Sequence, residues 1–264
     1  MKKILSIIIV NFRSLKYLEG CLTSIYSLKY LDNFEVIIVN NDKAESLEPL
    51  LKKFPKIVCV NHGKNIGFGG GVNLGATYAQ GEIFFLLNPD SEVLEGDFKK
   101  IVEEFEKNKN LGVLGAGLLD ENNNHQEWSA GKEKTLLNLV LANLGIKRDK
   151  KIWLSEQALS CDWVGGGAMF IRKSLFKSLQ GFDENFFMYF EDVDICKRAR
   201  ELGYEVLYFP GFKIKHIGGG SYIESHNKAN QKKHFYKSQD YYFQKFYKKK
   251  APFIRLMKKI LLKK

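Results

Sequence analysis

Two stretches hold carboxylates that could do chemistry, the first with far more of them than folding requires and the second with one. In "FDENFFMYFEDVDICKR" (182–198), Asp183, Glu184, Glu191, Asp192 and Asp194 stand among Phe182, Phe186, Phe187, Met188, Tyr189 and Phe190. One acid would cap a helix and favour its dipole, but five among six apolar neighbours exceed that need. Carboxylates held against apolar walls have raised pKa values, which suits a general base near neutrality. In "LLNPDS" (86–91), an apolar run stops at Asn88, Pro89 and Asp90. Asn-Pro-Asp is ordinary turn chemistry. Asp90 also offers hard oxygen ligands suited to Mg²⁺ or Mn²⁺.

Two further candidates are weaker alone. "NIGFGGGVNLGA" (65–76) fits no register of GxGxxG and follows the third strand rather than the first. Its glycines serve either close helix packing or the approach of backbone N–H groups to a phosphate or sugar. "KIKHIGGGS" sets His216 at a strand end before three glycines. A lone histidine is more often structural than a ligand, though this position suits metal or phosphate contact.

The elements that position these residues follow from the apolar pattern. "ILSIIIV" (4–10), "FEVIIVN" (34–40), "KIVCVN" (56–61) and "EIFFLLN" (82–88) predict strands. Helices are predicted over 15–28, 45–54 and 69–80. Continuous Val/Ile/Leu runs alternating with helices predict a parallel sheet covered on both faces, with a ligand crevice at the strands' carboxyl ends. Asn11, Asn40, Asn41, Asp42 and Asp90 all fall there. Further along, a strand near 111 runs into a polar loop and residues 132–158 form an insertion of unassigned role. "VDICKRARELG" predicts a helix stopped by Gly203, and "YEVLYFP" and "FKIKHI" predict two short strands.

Composition bounds the function. The chain has 264 residues, 45% hydrophobic and 13% aromatic, which excludes a disordered chain. Its net charge of +11 is uneven: residues 228–264 hold thirteen of the 41 Lys and Arg and one of the 30 acids, leaving a near-neutral body. Four scattered cysteines exclude a zinc ribbon or disulfide scaffold and fit reduced thiols in the cytoplasm. The opening "MKKILSIIIVNF" reads as a core strand rather than a signal peptide. In the tail, Phe253, Leu256, Met257, Ile260 and Leu261 make one apolar stripe between basic residues. That pattern suits a helix on an anionic membrane or one packed on the body. Single-stranded nucleic acid ranks below both, because the body is not basic, so no nucleic-acid partner is expected.

Taken together, "SIIIVNFRS", "EVIIVNND", "NIGFGGGVNLGA", "FLLNPDS", "VGGGAMFIRKSLFKSLQGFDENFFMYFEDVDICKRARELGY" and "KIKHIGGGS" resemble glycosyltransferase family 2, in its bacterial rhamnosyltransferase-like branch. They occur in the family's order over residues 4–222. The resemblance implies an α/β GT-A (nucleotide-diphospho-sugar transferase) fold, Rossmann-like and mostly parallel with helices on both faces. The expected organisation is a GT-A domain over 1–227 and a basic amphipathic helical extension over 228–264. It implies an inverting transferase using a dTDP- or UDP-linked donor, rhamnose or another hexose, and a saccharide or lipid-linked saccharide acceptor in cell-surface polysaccharide assembly. Asp192 matches the catalytic base, with Glu191 as alternative. Asp90 and His216 match a Mg²⁺ or Mn²⁺ site. Nucleotide-sugar contacts are implied for Asn11, Asn40, Asn41, Asn65, Gly67, Phe68, Asn73, Asn88, Asp90 and Gly166. Asn40 and Asn88 depart from the aspartates of the stricter pattern, which keeps open a catalytically silent nucleotide-sugar or saccharide-binding protein. The expected location is cytoplasmic, with the tail motivating peripheral attachment to the inner face of the cell membrane.

Overall fold

The computed structural model describes residues 3–28, 33–127, 129–135, 137–138, 141, 149–218 and 228–248. The first half alternates β1 (Leu5–Asn11), α1 (Leu15–Tyr26), β2 (Phe34–Asn40), α2 (Glu48–Lys53), β3 (Val58–Asn61), α3 (Gly67–Tyr78) and β4 (Ile83–Leu87). The second half runs β5 (Ser91–Glu95), α4 (Phe98–Lys107), β6 (Leu111–Leu119), β7 (Ala130–Gly131), α5 (Lys150–Trp153), β8 (Leu159–Ser160), β9 (Trp163–Val164) and β10 (Ala168–Arg172). It closes with α6 (Lys173–Ser178), α7 (Glu191–Glu201), β11 (Glu205–His216) and α8 (Lys228–Phe246).

β1 and β4 are buried along their whole length because both faces of the sheet are covered. Alternate side chains feed two cores. Ile8, Val10, Ile37, Phe84 and Leu86 pack on one face with Val72 of α3, Val193 and Cys196 of α7 and Tyr242 and Phe243 of α8. Ile7, Ile9, Ile38, Phe85 and Leu87 pack on the other with α1 and α4 through Leu18, Leu22, Phe98 and Ile101. Helices therefore lie on both faces of the sheet, as expected.

The strand order is β3-β2-β1-β4-β10-β6-β11-β5, with β8 beside β11. The sheet is mostly parallel, as expected, in that β1, β2, β3, β4, β6 and β11 run in one direction, but it is mixed: β10, β5 and β8 each pair antiparallel. The cause is topological. β10 inserts between β4 and β6 running against both.

Two predicted strands are one. β11 runs unbroken from 205 to 216, with its register against β6 slipping between Phe209 and Lys213. Pro210 and Gly211 lie at the slip, where a missing N–H and a missing side chain favour a bulge over regular pairing.

Tyr242 and Phe243 of α8 are fully buried in the first core, so 228–248 packs against the sheet's helical layer. The apolar stripe from Phe253 to Leu261 lies outside the described residues. Of the 132–158 insertion, α5 buries Ile152 and Trp153, and the Trp153 carbonyl accepts from the Tyr208 hydroxyl at 3.1 Å.

Candidate active site

A cavity of about 740 Å³ opens where β1, β2 and β4 end. Asn88, Pro89 and Asp90, Gly165 to Gly167, Glu191, Asp192 and His216 all line it, so the two acidic stretches meet in one space.

On one side, β4 stops at Leu87 and Pro89 denies the next pairing bond. β5 then starts antiparallel to β11, with Ser91 opposite His216. That register brings Asp90 beside the imidazole: its Oδ1 lies 3.4 Å from His216 Nε2. His216 Nδ1 faces Gln126 Oε1 at 2.7 Å, and an amide oxygen only accepts, so Nδ1 carries the proton. Nε2 is then the lone-pair nitrogen, accepting from Asn88 Nδ2 at 3.0 Å. A carboxylate oxygen thus lies beside the nitrogen whose lone pair Asn88 occupies, and a small cation bound between them would take the place of that N–H donor. Gln126 fixes the ring as an outer partner fixes a metal-bound histidine. Among the described residues no cluster of three or more His, Cys, Asp or Glu is present. The donor set fits Mg²⁺ or Mn²⁺ completed by phosphate oxygens and water, rather than an all-protein cage.

On the other side, α7 begins directly at Glu191 and Asp192. Asp192 Oδ2 accepts from the Gly166 N–H at 3.0 Å and Oδ1 from the Val193 N–H at 2.8 Å. Burial raises its pKa, opposed by those two N–H groups and by the Lys134 ammonium. Burial also lifts Glu191 well above the carboxylate range, with the charges of Asp192 and Asp194 adding to it. Glu191 Oε2 is buried without a partner among the described residues. The pair shares one charge more easily than two, and the N–H donors place it on Asp192.

The remaining acids of that stretch have other work. Asp194, with no exposed surface, is paired with Arg198 at 2.7 Å and Lys245 at 2.6 Å. Burial opposes the charge on Asp183, but Lys245, Asn185 and Tyr241 outweigh it and lower its pKa to about 2. Glu184 accepts from Asn73 Nδ2 at 2.9 Å.

The other expected contacts divide. Asn41, Asn65, Gly67, Phe68 and Gly166 line the cavity. Asn41 Nδ2 donates to the Gly67 carbonyl at 3.1 Å, while its buried Oδ1 has no partner among the described residues. Asn11, Asn40 and Asn73 do not line it. Asn11 Nδ2 donates to Asn40 Oδ1 at 3.0 Å and to Glu45 at 2.9 Å, a buried network behind the strand ends. Asn73 ties α3 to the acidic stretch, accepting from the Phe182 N–H at 2.8 Å. Packing accounts for part of the glycine cluster. The Gly67 N–H is taken by Asn65 Oδ1 at 2.9 Å and that of Phe68 by the Phe187 carbonyl at 3.2 Å. A Cβ at Gly71 would meet Val10 at 2.6 Å, and one at Gly75 would meet Ile8 at 2.7 Å.

Sequence reasoning missed Gln126, Arg13 and the cavity wall supplied by α8 through Asn230, Gln231 and His234. No periodicity marks these positions.

A family description, Glycosyl transferase family 2, matches residues 6–178. The chain belongs to glycosyltransferase family 2. That match reaches Asp90 and Gly166 and ends before Asp192 and His216, whose placement rests on the geometry above. Over 203 residues this family 2 chain is 28% identical to the low-salt glycan biosynthesis hexosyltransferase Agl10 of Haloferax volcanii, covering 74% of the chain and 61% of that relative. It is 24% identical to the N-acetylglucosaminyl-diphospho-decaprenol L-rhamnosyltransferase of Mycobacterium tuberculosis, covering 82% of the chain and 76% of the relative. Rhamnosyltransferase WbbL of Escherichia coli is also 24% identical, with 70% and 73% covered. Among solved structures, GalNAc-T7 with UDP, GalNAc and Mn²⁺ superposes with a TM-score of 0.63 at 14% identity, over 81% of this chain and 44% of that one. S. aureus TarS 1-349 gives 0.59 at 16%, over 93% and 73%. These two likenesses establish the shared fold.

Proposed function

We propose that this family 2 chain is an inverting glycosyltransferase. It moves rhamnose or another hexose from a dTDP- or UDP-linked donor to a saccharide or lipid-linked saccharide in cell-surface polysaccharide assembly. The observation that carries the reading is that Asp90 with His216 and Asp192 with Glu191 line one cavity. The three relatives named above, all called transferases, support transfer over silent binding. The mycobacterial relative's name, with its polyprenyl diphosphate acceptor, supports a lipid-linked acceptor.

Asp90 and His216, with Asn88 beside them, would hold a Mg²⁺ or Mn²⁺ ion, whose charge would stabilise a departing diphosphate. Asp192, ionised in preference to Glu191, accepts the proton of the acceptor hydroxyl as that oxygen attacks the anomeric carbon. The Gly166 and Val193 N–H groups hold its carboxylate in place meanwhile. One base and no protein nucleophile give a single displacement, hence inversion at the anomeric carbon.

For location, no helix among the described residues is long and apolar enough to cross a membrane. The basic tail and the exposed Lys232, Lys233, Lys237 and Lys248 support attachment to an anionic membrane surface on the cytoplasmic side.

The test is donor turnover with dTDP-rhamnose and a panel of UDP-sugars in Mn²⁺, with membrane extract as acceptor. Asp192→Asn should lose about 10²-fold or more in kcat while still binding the nucleotide. An Asp192→Asn enzyme with full turnover removes the base from this scheme.

A further inference from the structure

The backbone entering α7 is in an unfavourable conformation. Tyr189 and Phe190, directly before Glu191 and Asp192, have φ of 67° and 66°. Two consecutive non-glycine residues in the left-handed region persist only where the surroundings over-determine them. α8 provides much of that surrounding. Ser238 Oγ donates to the Met188 carbonyl at 2.7 Å. The Phe235 ring lies 5.7 Å from Tyr189 and 5.5 Å from Phe190, and Tyr242 lies 5.4 Å from Phe190. One ammonium then spans the whole segment: Lys245 Nζ donates to Asp183 at 2.7 Å and to Asp194 at 2.6 Å, the acids that bracket it. From the opposite side, α3 holds the same stretch through Asn73 and through the Phe68 N–H.

We propose that Lys245 is a positioning residue: by pinning Asp183 and Asp194 together it keeps the 189–190 turn closed and aims the Asp192 carboxylate into the cavity. The proposal rests on the reading of Asp192 as the base. It also gives the basic C-terminal region a role in the reaction apart from any membrane. Without Lys245, Asp194 keeps Arg198 and Asp183 keeps Tyr241 and Asn185, so the chain retains partners for both acids while losing the tie between them.

The experiment compares Lys245→Met and Lys245→Arg in the full chain. Hydrogen exchange over 183–194 is measured alongside the kinetics of dTDP release from dTDP-rhamnose. Lys245→Met should exchange faster in that segment and lose about 100-fold in kcat, with donor KM within about twofold of wild type, since a small misplacement of the base acts on the chemical step. Lys245→Arg, which can bridge both acids, should recover most of the loss. Wild-type exchange and kcat in Lys245→Met overturn the proposal, as does an arginine variant as damaged as the methionine one. Should Lys245→Met fail to fold, Ser238→Ala replaces it: lower kcat at unchanged donor KM supports the clamp, and wild-type values overturn it. Exchange needs no donor, so it decides the clamp even where Asp192→Asn keeps full turnover and the base assignment falls.

Discussion

Replacing Asn88 by aspartate tests the cation site with a change of sign. Both Asn88 Nδ2 and Asp90 Oδ1 contact His216 Nε2, at 3.0 and 3.4 Å. A carboxylate at 88 therefore sits within about 6 Å of the one at 90, a repulsion of about 3 kcal/mol at an effective dielectric of 20. Asn88 is only partly buried, and solvent and proton uptake relieve about half of this. The metal-free Asn88→Asp protein should then melt about 3–6 °C below wild type. A dication between the two carboxylates reverses the balance, because its attraction for the added charge is twice the repulsion at equal distance, and the distance is shorter. With saturating Mn²⁺ the variant should gain more in melting temperature than wild type does, through affinity at least about tenfold tighter, or 1.4 kcal/mol. Thermal melts with chelator and with a Mn²⁺ titration measure both. A Mn²⁺-induced rise in Asn88→Asp no larger than in wild type means that no cation binds beside Asp90 and His216, and the proposed metal role fails.

Glu191 makes stability depend on pH. Its folded pKa is raised, so its favourable contribution is full below the ordinary glutamate value near 4.5 and is lost as pH climbs towards the raised one. Glu191→Gln removes that dependence, and the wild-type minus variant stability should fall with rising pH above about 4.5, by up to about 1.4 kcal/mol per pH unit. Parallel pH profiles of urea midpoints for the two proteins contradict this. For the membrane, replacing Lys258, Lys259, Lys263 and Lys264 by glutamine should weaken binding to anionic vesicles by at least about tenfold, and added salt should weaken wild type likewise. Deleting residues 228–264 is no substitute, since it removes Tyr242 and Phe243 from the core. Vesicle binding unchanged by the four substitutions ends the membrane role of the tail.

The first ninety residues were legible because their signals are local. Apolar runs of strand length alternate with helical spacing, and the strand over Phe34–Asn40 falls where the pattern puts it. What escaped depends on partners remote in the chain. β5 and α4 follow Asp90 in a stretch whose strand is short and half exposed. Reading "YEVLYFP" and "FKIKHI" apart was reasonable at Pro210, and only the pairing with β6 keeps them together. The acidic stretch was correctly singled out but not divided. Nothing in "FDENFFMYFEDVD" says that Lys245 will take Asp183 and Asp194, leaving Glu191 and Asp192 to the cavity. Gln126 gave no signal, because a residue that orients a histidine needs reach rather than periodicity.

The antiparallel insertion that the sequence reading missed is also what assembles the site. β1, β2 and β4 end at one edge of the sheet. Because β10 runs against β4, its start lies at that edge, so Gly165 to Gly167 arrive there from 77 residues beyond Asn88 and offer the Gly166 N–H to Asp192. β6 runs against β10 and ends at the same edge, which delivers Gln126. β11, parallel to β6, ends there too, with His216, and β5 pairs against it to return Asp90. A wholly parallel sheet could bring strand ends together but not strand beginnings. The carboxylate held by a backbone N–H needs the beginning of β10, while the cation pair needs the end of β11 and the beginning of β5. Reversal of strand direction in the second half is thus the physical condition for both halves of the proposed reaction to share one cavity.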